Sequence, residues 1–71
     1  MILYAWDNCI RCETAMKLLQ LHGRPYVLVT IDREKPGPLI EEFPHIKVLP
    51  FAFDGREIKS VTRLSRHLLG L

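Results

Sequence analysis

Residues 7–12 read Asp7-Asn8-Cys9-Ile10-Arg11-Cys12 and hold the only two cysteines of the 71-residue chain. An apolar run at residues 1–6 precedes this stretch, and a helical pattern follows it. If residues 10–21 are helical, Cys9 lies at the helix N-terminus, where unpaired N–H groups and the helix dipole favour a thiolate over a thiol. The spacing therefore predicts that Cys9 is a nucleophile.

The second cysteine, Cys12, lies one helical turn further along the chain. From there it could attack a mixed disulfide formed on Cys9, and we expect it to be the less exposed of the two. A purely structural Cys9–Cys12 disulfide would close so short a loop that it would constrain the unfolded chain little. The pair is therefore predicted to be a nucleophile and a resolving thiol.

Composition predicts one small domain, residues 1–71, because 48% of the chain is apolar and this suffices for a single core. Nothing at the N-terminus is typical of a secretory signal, and no apolar run approaches the roughly 20 residues of a membrane span. We therefore expect a cytoplasmic protein that does not bind membranes. In that compartment a C-x-x-C pair is more often catalytic or metal-binding than structural.

The first half of the chain predicts a β-α-β unit. Residues 1–6 form a buried strand, and the helix over residues 10–21 ends near His22-Gly23, with Pro25 preventing its continuation. Residues 26–31 are almost continuously apolar, which is typical of a strand buried on both faces. The apolar or small face of the helix consists of Cys12, Ala15, Met16 and Leu19. A strand, a helix and a strand in this order make the two strands parallel.

The second half predicts a short helix, a hairpin and a last helix. After a charged connector at residues 32–38, a short helix is ended by Pro44, and residues 51–53 form the third strand. Asp54-Gly55 is a hairpin signal, so residues 56–58 should return antiparallel. Ser60 caps the last helix. The short helix is predicted from Leu39, Ile40 and Phe43. The apolar residues expected to pack are Val61, Leu64 and Leu68 from the last helix, and Leu69 and Leu71 at the end of the core.

This α/β order, with C-x-x-C opening the first helix, resembles the thioredoxin fold in its glutaredoxin version over the whole chain. Three marks carry the resemblance. Tyr4 stands five residues before Cys9; Val48-Leu49-Pro50 stands where glutaredoxins carry Thr-Val-Pro; and Phe53-Asp54-Gly55 lies in the hairpin beyond it. The resemblance implies a thioredoxin-like fold in which a βαβ unit is followed by a β-hairpin and a C-terminal helix, with a four-stranded mixed sheet.

The resemblance also implies a function. Members of the family are thiol-disulfide oxidoreductases that hold no bound cofactor or metal and use glutathione as reductant. The bond before the proline matching Pro50 is cis, and the backbone at the position of Leu49 pairs with the cysteine-containing segment of the substrate. Cys9 and Cys12 are then the catalytic residues, acting on disulfide-containing protein substrates or glutathione mixed disulfides.

The chain departs from glutaredoxins at the glutathione site. Trp6 replaces a usual Lys, Ile10-Arg11 replaces the usual Pro-Tyr, and Lys59-Ser60-Val61-Thr62 stands where the family carries Gly-Gly. The amides opening the last helix, with the hydroxyls of Ser60 and Thr62, could still receive a carboxylate. Arg11 and Lys59 could supply positive charge. We therefore expect Arg11, Leu49, Pro50, Ser60 and Thr62 to bind substrate.

Three alternatives remain open at this point. The first is a redoxin that donates electrons to ribonucleotide reductase and is reduced by thioredoxin reductase, a related group that also lacks the glutathione determinants. The second is a zinc site completed by two of His22, His45 and His67, although these histidines lack ligand spacing. The third is a redox-inactive adaptor, which would have no reason to keep both cysteines at this spacing.

Nucleic-acid binding is not expected. The C-terminal part is basic, but no aromatic platform interleaves its charges, and such a pattern is typical of a solvated helix face. Its basic residues are Arg56, Lys59, Arg63 and Arg66.

Overall fold

The computed structural model describes residues 1–71 and contains four strands and three helices. In chain order they are β1 (Ile2–Trp6), α1 (Ile10–Leu21), β2 (Val27–Ile31), α2 (Gly37–Glu42), β3 (Phe51–Phe53), β4 (Glu57–Ile58) and α3 (Val61–Leu68). The predicted α/β class and the order of its elements are confirmed. The return strand of the hairpin is one residue shorter than predicted.

The strands form one mixed sheet in the order β2-β1-β3-β4. β1 runs parallel to β2, with Ile2 opposite Val27, and antiparallel to β3, with Ile2 opposite Phe53. β3 and β4 pair antiparallel around the Asp54-Gly55 turn. The parallel β1–β2 pair, the hairpin and the four-stranded mixed sheet were all predicted and are confirmed.

The burial predicted for the second strand is wrong. Only Ile31 of β2 is buried, whereas the exposed fractions of Val27 and Leu28 are 63% and 43%. The reason is position: β2 is an edge strand, so the layers that cover the central strand β1 do not extend over Val27 and Leu28. An apolar run cannot by itself distinguish a central strand from an edge strand.

The core consists of two clusters of buried side chains. Side chains alternate between the two faces of a strand, so Leu3 and Tyr4 of β1 point to opposite sides of the sheet. The cluster around Leu3 includes Ala15, Leu19, Ala52, Ile58 and Leu64, from α1, α3 and the hairpin. The cluster around Tyr4 includes Ala5, Cys12, Ile31, Leu39, Ile46, Leu49 and Phe51. Helices therefore pack on both faces, and Cys12 is part of the core.

The helix ends follow the predicted capping signals. α1 ends at Leu21, and Gly23 adopts the left-handed conformation with φ of +63°. The side chain of Ser60 accepts a hydrogen bond of 3.1 Å from the backbone N–H of Arg63, which caps α3 as predicted.

The two leucines at the C-terminus do not close the core, contrary to the prediction. Leu69 is 60% exposed and Leu71 is 88% exposed. The helix ends at Leu68, and the chain then turns away at Gly70, whose φ is +78°. Because of this turn, Leu71 does not pack under the helix and remains exposed to solvent. None of the three helices combines the length and the apolar composition that a membrane span requires.

Candidate functional site

The two thiols lie where strand β1 passes into helix α1. A turn at Asp7 and Asn8 joins these elements, and Asn8 has a positive φ of 51°, a conformation that asparagine tolerates better than most residues. Cys9 occupies the N-cap position of α1, and its Sγ accepts a hydrogen bond of 3.2 Å from the backbone N–H of Cys12. A thiolate at this position would be stabilised by a backbone donor and by the helix dipole.

The two cysteines differ sharply in exposure. Cys9 is partly exposed, whereas Cys12 is 1% exposed, and both are free thiols. Burial, a hydrogen bond with Cys9 and the charge of Cys9 raise the pKa of Cys12 to about 11, against the opposing effects of the Trp6 backbone and the Arg33 charge. Cys12 is therefore protonated near neutral pH, and Cys9 is the sulfur that is accessible from solvent.

A groove of about 370 Å³ lies beside this helix N-terminus. It is lined by Arg11 and Thr14 of α1, by Val48, Leu49 and Pro50, and by Lys59, Ser60, Val61 and Thr62 at the start of α3. All of the residues predicted to bind substrate, Arg11, Leu49, Pro50, Ser60 and Thr62, are thus brought to one groove. The peptide bond between Leu49 and Pro50 is cis, as predicted.

The backbone of Leu49 is free to pair with another chain. Its side chain is buried, which fixes its position in the core, but neither its N–H nor its C=O takes part in a hydrogen bond within the protein. Unpaired backbone groups beside a groove favour the addition of an extended peptide through main-chain hydrogen bonds.

The charged lining of the groove is entirely basic. Arg11 and Lys59 are its charged residues, and no Asp or Glu lines it. The hydroxyl oxygen of Ser60 is occupied by the cap of α3, but the hydroxyl hydrogen can still be donated to a ligand, as can that of Thr62. The groove therefore suits an anionic ligand that accepts hydrogen bonds.

Sequence reasoning missed several residues around the site. Thr14 lines the groove and could have been found, since residues three apart share a helix face and Arg11 had been identified. Arg33 lies over the ring of Trp6, with 5.4 Å between the guanidinium carbon and the ring centroid. This cation–π pair joins β1 to the connector after β2, and no local pattern indicates it.

The structure holds no group of three or more His, Cys, Asp or Glu side chains that could bind a metal ion. Two of the three histidines considered as zinc ligands contact carboxylates instead: His45 pairs with Glu57, and His67 pairs with Asp54. The zinc alternative would require Cys9 and Cys12 to find ligands that they do not have in this conformation.

Comparisons of the chain with protein-family models, with curated proteins and with solved structures found no match. Function must therefore be inferred from the chemistry of the two thiols and of the groove beside them.

Proposed function

We propose that this protein is a glutaredoxin-like dithiol thiol-disulfide oxidoreductase with a thioredoxin-like fold, acting in the cytoplasm on protein disulfides or glutathione mixed disulfides. One observation carries the proposal. A partly exposed thiol, Cys9, caps a helix and accepts a hydrogen bond from the backbone N–H of a second, buried thiol residue, Cys12. This arrangement separates an attacking sulfur from a resolving sulfur.

In the first step, the Cys9 thiolate attacks one sulfur of the substrate disulfide. The substrate S–S bond breaks as a new bond forms to Cys9 Sγ, and the other substrate sulfur leaves as a thiolate that takes a proton from water. The free backbone of Leu49 supports this step by offering main-chain hydrogen bonds to the segment around the substrate cysteine.

In the second step, Cys12 must lose its proton. Burial is the main cause of its high pKa, but the hydrogen bond with Cys9 and the charge of Cys9 contribute as well. Once Cys9 is in a mixed disulfide it carries no charge, so the pKa of Cys12 falls at the stage when a thiolate is needed. The Cys12 thiolate then attacks Cys9 Sγ, and the second substrate sulfur leaves reduced. Two electrons have passed from the two protein thiols to the substrate.

Two molecules of glutathione restore the dithiol. The first attacks the Cys9–Cys12 disulfide and forms a mixed disulfide on Cys9, and the second attacks that mixed disulfide and leaves as glutathione disulfide. Arg11 and Lys59, with the donors at the start of α3, support this assignment because glutathione carries two carboxylates.

A second candidate is an electron donor to ribonucleotide reductase that is itself reduced by thioredoxin reductase. Trp6 and the segment Lys59-Ser60-Val61-Thr62 favour it, because glutaredoxins carry a Lys and a Gly-Gly element at these places. Both candidates use the same chemistry at Cys9 and Cys12, and they differ in the reductant.

The deciding experiment supplies the oxidised protein with NADPH and either glutathione with glutathione reductase or thioredoxin reductase alone, and follows NADPH consumption with a disulfide substrate present. We expect turnover with glutathione and none with the Cys9→Ser variant. Turnover with thioredoxin reductase alone would favour the second candidate. No turnover with either reductant would contradict oxidoreductase function and favour an adaptor, and stoichiometric zinc in elemental analysis would favour a metal-binding module.

A further inference from the structure

A second groove continues the first one along the protein surface. Its volume is about 260 Å³, and it is lined by His45, Ile46, Lys47, Val48 and Lys59. Val48 and Lys59 also line the first groove, whose lining includes Arg11 but neither Cys9 nor Cys12. The two grooves are therefore adjacent, and we call them together the basic track: Arg11 lines the first groove, Lys47 lines the second, and Lys59 lies between them.

The positive charges of the basic track are unpaired. No carboxylate oxygen lies within 4.0 Å of the cationic nitrogens of Arg11, Lys47 or Lys59. No Asp or Glu lines either groove, and the neighbouring Glu57 is already paired with His45. Since like charges along one path raise the local potential, the track attracts anionic groups in solution.

The basic track also offers an apolar contact between its charges. Val48 is 64% exposed and belongs to both grooves, so it lies in the path of any chain that passes from the thiols toward Lys47. An extended segment that alternates acidic and aliphatic side chains would match this order of groups. The free backbone of Leu49 lies at the start of the same path.

We propose that the basic track binds an acidic segment of the protein substrate, next in sequence to the cysteine that Cys9 attacks, and that the enzyme selects its disulfides by this negative charge. The inference rests on the proposed function and adds the class of protein substrate to it. The second groove would bind substrate residues beyond those that pair with Leu49. The selectivity therefore applies to polypeptide substrates and not to small disulfides.

The test compares disulfide-bonded peptides that are identical except for three residues beside the cysteine, which are Glu, Gln or Lys. We expect kcat/KM at low ionic strength to be about tenfold higher for the Glu peptide than for the Gln peptide, and lowest for the Lys peptide. Added salt should reduce the ratio, because exposed charges are screened over about 10 Å at 0.1 M.

Charge-reversal variants locate the effect on the surface. In Lys47→Glu and in Lys59→Glu the Glu-to-Gln ratio of kcat/KM should fall to about one or below. Lys17→Glu is the matched control, because Lys17 is exposed on α1 and lines neither groove. It should keep the ratio of the wild-type protein.

The outcomes separate this inference from the proposed function. If a small uncharged disulfide is reduced normally but the three peptides react equally at low ionic strength, the basic track does not select acidic substrates, and the oxidoreductase function stands. If Lys17→Glu lowered the Glu-to-Gln ratio of kcat/KM as much as Lys47→Glu does, the proposed role of the basic track would likewise be wrong. If no disulfide is reduced at all, the proposed function itself is wrong.

A cysteine-free Glu peptide, whose binding is followed by fluorescence anisotropy, then tests the basic track alone. Tighter binding of this peptide than of the Gln peptide supports the track, and equal binding contradicts it.

Discussion

The backbone N–H of Cys12 donates a hydrogen bond to Sγ of Cys9, while the Cys12 side chain itself is enclosed by the core. Cys12 thus offers a main-chain donor to the sulfur of Cys9 while its own thiol is kept away from solvent. The two sulfurs of the C-x-x-C stretch are therefore not interchangeable, although they are chemically identical and one helical turn apart.

Serine substitutions should separate the two roles. We expect Cys9→Ser to reduce disulfide reductase activity to background, and Cys12→Ser to accumulate a stable mixed disulfide on Cys9, since the resolving thiol is missing. Mass spectrometry after incubation with a disulfide peptide detects the trapped adduct. Equal residual turnover in the two variants would contradict the assignment.

The pKa of Cys12 should depend on Cys9. Cys9→Ala removes the hydrogen bond and the charge that help to raise it, while burial remains, so the pKa should fall below about 11 and stay above the ordinary value of 9.0. The ultraviolet absorbance of the thiolate, followed as a function of pH, measures it in this single-cysteine variant. A pKa that stayed near 11 would mean that burial alone is responsible and that Cys12 is not activated when Cys9 reacts.

Arg11 should contribute to the binding of glutathione. We expect glutathione to reduce the oxidised protein with a high apparent KM, and Arg11→Glu to raise that KM by about tenfold or more, as the loss of a charge-assisted contact worth about 1.5–3 kcal/mol implies. Steady-state kinetics with glutathione reductase measure the change. Lys17→Glu, on the same helix but outside the groove, should leave the KM unchanged. Saturation of the wild-type protein at low micromolar glutathione would contradict this view of the groove.

The sequence predicted the elements, and it named the residues of the candidate site, because both depend on local signals. The cap at Ser60, the turn at Gly23 and the Asp54-Gly55 hairpin each act within a few residues, and all are confirmed. The residues predicted to bind substrate could be named because Arg11, the Leu49-Pro50 segment and the start of α3 each carry a short motif. Their meeting in one groove follows from the order of the strands.

What the sequence did not predict depends on contacts between distant parts of the chain. The exposure of Val27 and Leu28 reflects the edge position of β2, and the cation–π pair of Trp6 and Arg33 joins two separate segments. Tyr4 likewise donates a hydrogen bond of 3.1 Å to Glu42 of α2. Apolar periodicity reports which residues can be buried, but the position of an element in the sheet decides which residues are buried.

The hairpin should be sensitive to acid at Asp54. Burial tends to raise the pKa of this carboxyl, but hydrogen bonds from His67 and from the Arg56 backbone, with the charges of His67 and Arg24, hold it below the ordinary 3.8. Because the folded-state pKa is lowered, the stabilisation is present above pH 3.8 and is lost as the pH falls through the folded-state value.

Asp54→Asn should therefore lower the free energy of unfolding near neutral pH by about 0.5–1 kcal/mol, a modest value because the group is partly solvated. Urea denaturation measures the loss, which should shrink as the pH is lowered to about 3. Asp7→Asn, at an exposed residue, is the control and should change stability little. A loss that is equal at both pH values would mean that the charge of Asp54 is not responsible.

Phe51 should be the most sensitive position of the aromatic core. It is fully buried, with its ring centroid 5.8 Å from that of Tyr4 and 4.9 Å from that of Phe43. Phe51→Ala should cost about 3–5 kcal/mol through the cavity that it leaves. Phe51→Leu retains most of the volume and should cost less than the Ala substitution. Chemical denaturation of both variants measures the difference, and equal losses would mean that the cavity is not the cause.

Because Cys12 is buried among core side chains, the proposed electron transfer and the folding of the chain are parts of one thermodynamic cycle. The midpoint potential of the pair reflects the stability of the oxidised protein relative to the reduced protein, so a substitution that stabilises one form more than the other must shift the potential by the same free energy. For a two-electron couple, about 1.4 kcal/mol corresponds to about 30 mV. If the pair is redox-active as proposed, a neighbour such as Leu39, which lines neither groove, can therefore tune its reducing power through packing alone.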